Sequence, residues 1–160
     1  MAFALTITEV GKDDNAAIDA VRQLLLAYAS WRNFDKALGL FEEEIRDLPG
    51  AYSSPEGLLL LAKLNGKPVG CVAYRKLEEG ICEMKRMYVS PDARGQKIGQ
   101  QMLNQLLPAA ANAGYHLMRL DTHPSMLTAQ ELYQNIGFVE CPRYNNNPIE
   151  GIRFFEKALG

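Results

Sequence analysis

The chain has 160 residues, a net charge of -2 and 48% hydrophobic residues. This length suits a single domain over residues 1–160, which can bury roughly 70% of the surface that the unfolded chain exposes. The small net charge gives no basic face for nucleic acid, and no apolar run approaches the roughly 20 residues that span a bilayer. We therefore expect a small partner molecule and, because no secretory signal is visible, a cytoplasmic location.

The cysteines and histidines form no recognisable disulfide or metal pattern. Cys71, Cys82 and Cys141 lack CxxC spacing, and an odd number of thiols without a secretory signal argues against a disulfide framework. Neither His116 nor His123 stands at metal-ligand spacing from a second histidine or a cysteine. We expect reduced, buried thiols and no metal.

The first half of the chain predicts two helices and an antiparallel meander. Residues 4–9 alternate like a strand, and Asp13 or Asp14 can cap a helix whose apolar residues recur at helical spacing. The apolar side of a second helix includes Phe41 and Ile45, and a Leu-Pro-Gly sequence ends it. Three strands follow, over residues 57–64, 69–76 and 81–89, and Asn65-Gly66 is a type I′ hairpin signal between the first two.

The second half predicts two further helices and three further strands. A helix from Gly95 carries an apolar stripe and contains Pro108, which either kinks the helix or ends its regular part near Leu107. The remaining elements are a strand over residues 115–121, a helix over 125–135 and strands over 138–141 and 153–159.

Residues 84–107, MKRMYVSPDARGQKIGQQMLNQLL, carry the strongest functional signal. An extended run stops at a proline, and a glycine-containing turn opens directly into a helix. The unpaired N–H groups and positive dipole end of a helix N-terminus can bind a pyrophosphate largely through main chain. Gly95 and Gly99 keep side chains away from such an anion, whereas Arg94 and Lys97 add positive charge.

Alternation along the strand before this turn predicts which side chains share a face. Lys85, Met87 and Val89 fall on one side of the strand, and Arg86 and Tyr88 fall on the other. The strand therefore presents two different sets of side chains to the two faces of its sheet.

The turn fits a known diphosphate-binding signature, whereas the motifs GxxxxGK[ST] and GxGxxG are absent. It resembles motif A of the GCN5-related N-acetyltransferase (GNAT) family, in which Arg or Gln is followed by two residues, Gly, one residue and then Gly or Ala. Arg94, Ile98 and Gly99 fit this signature, and Lys97 stands where the family has its middle glycine.

A second motif lies at the expected separation. Residues 129–138, AQELYQNIGF, are similar to motif B of the same family, a tyrosine-bearing helix that ends at Gly-Phe before the next strand. Met126 stands where many members place an asparagine near the cofactor. The resemblance extends from about residue 6 to residue 159.

The resemblance implies a fold of the α/β (α+β) class. This GNAT fold has a central mixed, mostly antiparallel sheet of about six to seven strands, flanked by about four helices, with a splayed parallel strand pair at the cofactor site. It also implies that acetyl-CoA donates an acetyl group directly to a primary amine of a small molecule or peptide; a homodimer is left open. Ten residues are expected to contact the cofactor: Met87, Tyr88, Val89, Arg94, Gly95, Gln96, Lys97, Ile98, Gly99 and Gln100.

The resemblance assigns chemical roles to two side chains. Glu83 stands where a family glutamate can act as the base that neutralises the amine; the alternative is a structural carboxylate paired with Arg86, Lys85 or a neighbouring segment. Tyr133 falls at the motif B tyrosine, whose phenol can bond the sulfur and protonate the departing thiolate. A core tyrosine on an amphipathic helix is the alternative for Tyr133.

Two functions from different classes follow from these residues. The first is an N-acetyltransferase, which Glu83 and Tyr133 favour; the second is a non-catalytic module that holds an acyl-CoA as a regulatory ligand, for which Lys97 and Met126 leave room. In the first case, the resemblance implies that main-chain N–H near Val89 stabilises the oxyanion.

The sequence does not reveal the acceptor. The segments expected to frame it, residues 30–48 and 142–151, carry mixed charge and no recognisable code. Trp31, Phe34 and Tyr144 within these segments could form an apolar substrate wall or simply pack in the core or loops.

Overall fold

The computed structural model describes residues 4–32 and 38–160 of the protein, with backbone only for residues 31–32 and 38–40. Within this part of the chain, seven strands form one sheet in the order β1-β2-β3-β4-β5-β7-β6. The elements in chain order are β1 (Leu5–Glu9), α1 (Asn15–Arg32), α2 (Leu38–Arg46), β2 (Leu58–Leu64), β3 (Lys67–Glu78), β4 (Ile81–Val89), α3 (Ile98–Asn112), β5 (Leu117–Thr122), α4 (Leu127–Ile136), β6 (Val139–Glu140) and β7 (Arg153–Ala158). The expected mixed sheet flanked by four helices is confirmed.

The parallel pair β4 and β5 diverges along its length. Residues 81–83 of β4 pair with residues 117–119 of β5, and the pairing stops at Glu83, although β4 continues to Val89. The other neighbouring strands in the described sheet are paired antiparallel. The expected splayed parallel pair is therefore present at the centre of the sheet.

Apolar side chains pack on both faces of the sheet in two separate clusters. On the α3/α4 face, Met102 and Leu106 of α3 belong to one cluster with Met118 of β5. On the α1/α2 face, Leu25 of α1 belongs to a second cluster with Leu61 of β2. Because each fully buried side chain of this kind contributes about 1.5–3 kcal/mol, the two clusters hold the helices on opposite sides of the sheet.

Several element boundaries follow local signals. Asp14 caps α1, since its Oδ1 accepts a hydrogen bond from the Ala17 N–H at 3.1 Å. Asn65 and Gly66 have φ of 54° and 82°, which are the positive values that a type I′ turn requires. These residues place β2 beside β3, as the sequence predicts.

The start of α3 differs from the expectation, and its course past Pro108 excludes one of the two alternatives stated for that residue. The helix begins at Ile98 instead of Gly95, because Lys97 occupies the N-cap position with a left-handed φ of 59°. Pro108 lies inside the helix, which continues to Asn112, so it does not end the regular part near Leu107. Residues 94–97 are therefore a loop that leads into α3.

A β-bulge in β4 overturns part of the predicted strand alternation. Tyr88 pairs with Cys71 and Lys85 pairs with Ala73, so two residues of β4 lie opposite one residue of β3. Arg86 lies at this bulge and has a left-handed φ of 61°. Lys85 therefore shares the α1/α2 face with Tyr88, and its predicted place beside Met87 is wrong.

The cysteines are free thiols. Cys71 and Cys82 are buried as expected, but Cys141 is only partly buried, so that expectation is wrong for one of the three. Among the described helices, none combines the length and apolar character needed to cross a membrane. The described residues also contain no group of three or more His, Cys, Asp or Glu side chains arranged to hold a metal ion.

Candidate functional site

A cavity of about 510 Å³ lies between the end of β4, the start of α3 and the start of α4. Its walls contain nine of the ten residues that the sequence analysis selected, whereas Gln96 is exposed and lies outside them. The lining residues are Met87, Tyr88, Val89, Ala93, Arg94, Gly95, Lys97, Ile98, Gly99, Gln100, Ser125, Met126, Leu127, Thr128, Ala129 and Leu132.

The start of α3 points main-chain donors at this cavity. The first turn of the helix closes with the Gln101 N–H donating to the Lys97 carbonyl at 3.1 Å. The N–H groups of Ile98, Gly99 and Gln100 precede that bond, so they have no intrahelical acceptor. Because these three residues line the cavity, the positive end of the helix dipole faces it, and the cavity can bind an anion.

Side chains fix the turn that precedes α3. Arg94 Nε donates to the Val89 carbonyl at 3.1 Å, which ties the loop back to the end of β4. Lys67 Nζ lies 3.0 Å from Asp92 Oδ2 and holds the short 3-10 turn Pro91–Ala93 beside the β2–β3 hairpin. Two contacts therefore hold the loop, one to the end of β4 and one to the start of β3.

Gly95 and Gly99 are required for backbone conformation and for helix packing, respectively, more than for leaving space for an anion. Gly95 has a φ of 83°, and a Cβ added there would meet nothing within 4 Å, so its conformation is what requires glycine. A Cβ on Gly99 would lie 2.9 Å from Met87 Cε and 3.2 Å from Leu132 Cδ2. Gly99 thus allows α3 to pack closely against β4 and α4.

The backbone conformation at Lys97 explains why the family signature has a glycine at this position. The residue adopts the left-handed conformation, which costs a non-glycine residue about 1–2 kcal/mol. Its exposed side chain belongs to the cavity wall, beside the α3 N-terminus. Lysine in place of the signature glycine therefore adds backbone strain, and it also adds a positive charge at the mouth of the cavity.

The opposite wall comes from the start of α4, which the sequence analysis largely missed. Ser125, Leu127, Thr128, Ala129 and Leu132 line the cavity here, together with Met126 at the N-cap. The motif B match placed this helix near the cofactor but carried no information on which of its side chains would face β4. That information depends on how α4 docks beside the diverging strands.

Tyr133 lies one helical turn beyond Ala129 and is 5% exposed. Its ring packs edge-on against Phe138 at 5.9 Å between centroids, within the α3/α4 cluster. Burial raises the pKa of its phenol, and the nearby groups of Tyr28 and Asp121 raise it further. The hydroxyl is therefore protonated at neutral pH and available as a hydrogen-bond donor.

Glu83 is 1% exposed on the α1/α2 face, where β4 and β5 begin to diverge. Arg75 of β3 donates to its Oε1 from Nε at 3.1 Å and from Nη2 at 3.0 Å. The Tyr144 hydroxyl donates to Oε2 at 2.6 Å. Arg86, a predicted partner, instead donates from Nη2 to Glu44 Oε1 of α2 at 3.0 Å.

The loop of residues 141–152 extends these contacts into a network. Asn145 Nδ2 donates to Asp121 Oδ2 at 2.7 Å, and Asn147 Nδ2 donates to the same oxygen at 3.2 Å. We call Arg75, Glu83, Tyr144, Asn145 and Asp121 the Glu83 network. Burial raises the pKa of Tyr144, and the adjacent Glu83 carboxylate adds to this rise.

Tyr144 has a polar role as well as an apolar one. Its ring packs edge-on against Phe154 at 5.2 Å, so the predicted packing alternative is part of its environment. The side chain of Trp31 and all of Phe34 lie outside the described residues. The predicted substrate wall of these three residues therefore stays a prediction.

The end of β4 also directs a main-chain donor toward the gap beside β5. The Ser90 N–H donates to the Val69 carbonyl at 2.7 Å, on the β3 side. Because successive N–H groups of a strand point in opposite directions, the Val89 N–H faces away from β3. On that side the pairing with β5 has already ended at Glu83.

Comparisons with known proteins identify the family to which this architecture belongs. Residues 18–138 match the model of the acetyltransferase (GNAT) family. An uncharacterized N-acetyltransferase from Schizosaccharomyces pombe is 32% identical over 144 residues, which cover 89% of this chain and 88% of the relative.

Solved structures agree on the fold. A GNAT-family acetyltransferase from Staphylococcus aureus superposes with a TM-score of 0.81 at 21% identity, covering 98% of this chain and 100% of the other. The PaiA N-acetyltransferase from Thermoplasma acidophilum, solved in complex with coenzyme A, superposes with a TM-score of 0.69 at 18% identity, covering 97% and 99%. The chain belongs to the GCN5-related N-acetyltransferase family.

Proposed function

We propose that the protein transfers an acetyl group from acetyl-CoA directly to a primary amine of a small molecule or peptide. The observation that carries this proposal is the cavity, which joins a helix N-terminus with two basic side chains to an apolar wall that includes Ala129 and Leu132 of α4, the helix that carries Tyr133. A ligand with a diphosphate at one end and an apolar arm at the other matches this polarity. Membership of the family supports acetyl transfer as the reaction.

The diphosphate is proposed to bind at the start of α3. The N–H groups of Ile98, Gly99 and Gln100 supply the main-chain donors, and Arg94 and Lys97 supply charge. Gly95 shapes the loop, whereas Gln96 lies outside the cavity wall, so its contact with the cofactor stays a prediction. The pantetheine arm then follows Met87, Tyr88 and Val89 along the diverging end of β4.

The amine must lose a proton before it can attack. An amine with a pKa near 10.4 requires about 4–5 kcal/mol to be neutral at pH 7, so a base lowers the barrier. We assign this role to Glu83, with Tyr144 as the group that connects it to the amine. The ammonium gives a proton to the Tyr144 oxygen while the Tyr144 hydroxyl proton moves to Glu83 Oε2, along the existing 2.6 Å hydrogen bond.

The acyl transfer itself then needs two hydrogen-bond donors. The neutral nitrogen forms a bond to the thioester carbon, and the Val89 N–H stabilises the oxygen that becomes anionic. When the carbon–sulfur bond breaks, Tyr133 donates a hydrogen bond and then a proton to the departing thiolate. Burial raises the pKa of Tyr133, so the phenol keeps its proton until the thiolate leaves.

Thiol release from acetyl-CoA tests the proposal. The protein is mixed with acetyl-CoA and a panel of amines, amino acids and peptides, and free CoA is followed with a thiol dye. We expect amine-dependent release for at least one class of acceptor. Thermal stabilisation by acetyl-CoA without turnover across the panel would favour the alternative, a non-catalytic acyl-CoA-binding regulatory module.

A further inference from the structure

Met126 and Tyr88 of the cavity wall both contact the same residue of α1. The Tyr28 hydroxyl of α1 donates to Met126 Sδ at 3.8 Å, and Met126 stands at the N-cap of α4. The ring of Tyr28 also lies 5.2 Å from the ring of Tyr88, another residue of the cavity wall. Tyr28, Met126 and Tyr88 thus form one continuous surface that joins α1, α4 and β4, which we call the end wall.

We propose that the end wall limits the acyl group to the two-carbon acetyl chain, so that Met126 and Tyr28 determine acyl-chain specificity. This inference rests on the proposed function, because it assumes that an acyl thioester occupies the cavity. It goes beyond that function by naming the two side chains that select the length of the acyl chain.

The position of the end wall places it beside the reacting atoms. The phosphate end of the cavity is the start of α3, whereas Tyr88 and Met126 line it on the side of β4 and α4. Tyr133, the proposed thiolate donor, follows Ala129 of the same wall by one helical turn. Tyr28 and Tyr133 are close enough for the charge of one to raise the pKa of the other. The proposal places the thioester sulfur at Tyr133 and the acyl group against Tyr28 and Met126.

The chemistry of the end wall suits a steric limit. A thioether and a phenol ring offer a short acyl chain apolar contact, and the two side chains touch each other at the cavity wall. A longer chain must separate Tyr28 from Met126. Discrimination of one methylene in an apolar pocket is commonly about 10–200-fold.

Removing the Met126 side chain beyond Cβ deletes three heavy atoms, which is room for about two to three methylenes. Met126→Ala is therefore expected to extend the accepted chain from two carbons to four or more. Tyr28→Leu is an independent variant on the other helix, since it shortens the reach of the side chain and removes the hydroxyl that contacts Met126. Leu26→Ala is the matched control, because Leu26 lies on α1 but is 44% exposed to solvent.

The experiment compares kcat/KM for acetyl-, propionyl-, butyryl- and hexanoyl-CoA with one amine, by thiol release. We expect the wild type and Leu26→Ala to prefer acetyl-CoA over butyryl-CoA by about tenfold or more. Met126→Ala or Tyr28→Leu should raise the butyryl-to-acetyl ratio by about tenfold. Equal use of acetyl- and butyryl-CoA by the wild type would overturn the inference, as would an unchanged ratio in the folded variants.

Calorimetry separates failure of this inference from failure of the proposed function. The dissociation constants of acetyl-CoA and hexanoyl-CoA for the wild type do not depend on turnover or on any variant. If thiol release is absent with every donor, the proposed reaction is wrong, but the end wall still predicts weaker binding of hexanoyl-CoA. Equal affinity for the two thioesters contradicts the end wall, whatever the reaction proves to be.

Discussion

The wall of the cavity at α3 and the Glu83 network illustrate two ways of building a polar site. The first uses main-chain N–H groups and charged side chains from the short segment of residues 89–100. The second uses side chains from β3, β4, β5 and the loop of residues 141–152, and it joins Tyr144 to Glu83 across 61 positions of sequence. The first is determined by local spacing, whereas the second exists only when the sheet is complete.

The two regions also differ in whether their polar groups already have hydrogen-bond partners within the protein. The leading N–H groups of α3 have no intrahelical acceptor and lie in the wall of an open cavity. Glu83, in contrast, is buried and already accepts bonds from Arg75 and Tyr144. The cavity is thus prepared for a ligand, and the Glu83 network is prepared to hold one carboxylate in a fixed place.

The largest expected effect concerns Tyr133, the proposed proton donor to the thiolate. Tyr133→Phe should lower kcat by about 10²–10⁴-fold, because the thiolate loses its proton donor, while CoA affinity stays within about threefold. Thiol-release kinetics measure the first quantity and calorimetry the second. Tyr74→Phe, a buried tyrosine of β3 that packs against Tyr115, is the control and should leave kcat nearly unchanged. A Tyr133→Phe enzyme with the kcat of the wild type would assign Tyr133 to the core alone.

The next effect decides whether the Glu83 network is catalytic. Glu83→Gln removes the proton acceptor but keeps an oxygen for Arg75 or Tyr144, so kcat/KM should fall by about 10–100-fold. The acidic limb of its pH–rate profile should also move. Glu156→Gln is the matched control, since Glu156 pairs with Arg119 at 3.2 Å on the same face. If Glu83→Gln loses stability yet keeps the wild-type pH profile, the carboxylate is structural.

A smaller effect tests the ion pair beside the network. Burial alone raises the pKa of Glu44, but the hydrogen bond and charge of Arg86 outweigh it and leave the pKa below the usual 4.5. The pair therefore stabilises the fold above pH 4.5, and this contribution is lost as pH falls through the lowered pKa.

Glu44→Gln should accordingly cost about 1–2 kcal/mol at pH 7, and the difference from the wild type should narrow from about pH 5 to about pH 3. Urea unfolding at several pH values measures this difference. Glu43→Gln, on the exposed side of α2, should change stability by about 0.5 kcal/mol or less at every pH. A pH-independent difference for Glu44→Gln would show that its charge is irrelevant to stability.

The smallest effect concerns the loop before α3. Lys97→Gly should raise the free energy of unfolding by about 0.5–1 kcal/mol, because the relief of left-handed strain exceeds the added chain entropy of glycine. The same change should weaken CoA binding severalfold, since a positive charge leaves the cavity mouth. Lys97→Ala separates the effect of strain from the effect of charge. It should weaken CoA binding as much as Lys97→Gly does, but it should not stabilise the fold. Equal stability of the two variants would contradict the strain argument.

The sequence was most informative where a contact depends on nearby residues. The cap at Asp14, the turn at Asn65-Gly66 and the glycine-containing loop before α3 act within a few positions, so spacing and residue type predict them. The resemblance supplied the sheet that surrounds them, including the diverging pair β4 and β5.

The remaining features depend on tertiary packing. The contact of Asn145 with Asp121 spans 24 positions, and that of Tyr28 with Met126 spans 98. No local pattern marks such pairs, because they form only when the loop of residues 141–152 and α1 reach the sheet. The bulge at Arg86 is similar, since its extra residue is visible only in the pairing of β4 with β3.

The bulge at Arg86 changes which face of the sheet the odd-numbered residues of β4 occupy. Before it, Glu83 and Lys85 face α1 and α2; after it, Met87 and Val89 face α3 and α4. Without the bulge, strict two-residue periodicity would place residues 83, 85, 87 and 89 on one face, so either the carboxylate or the two apolar side chains would have to rotate through the sheet. The irregularity at one position is therefore what keeps the proposed base and the cofactor wall on opposite sides of the same backbone.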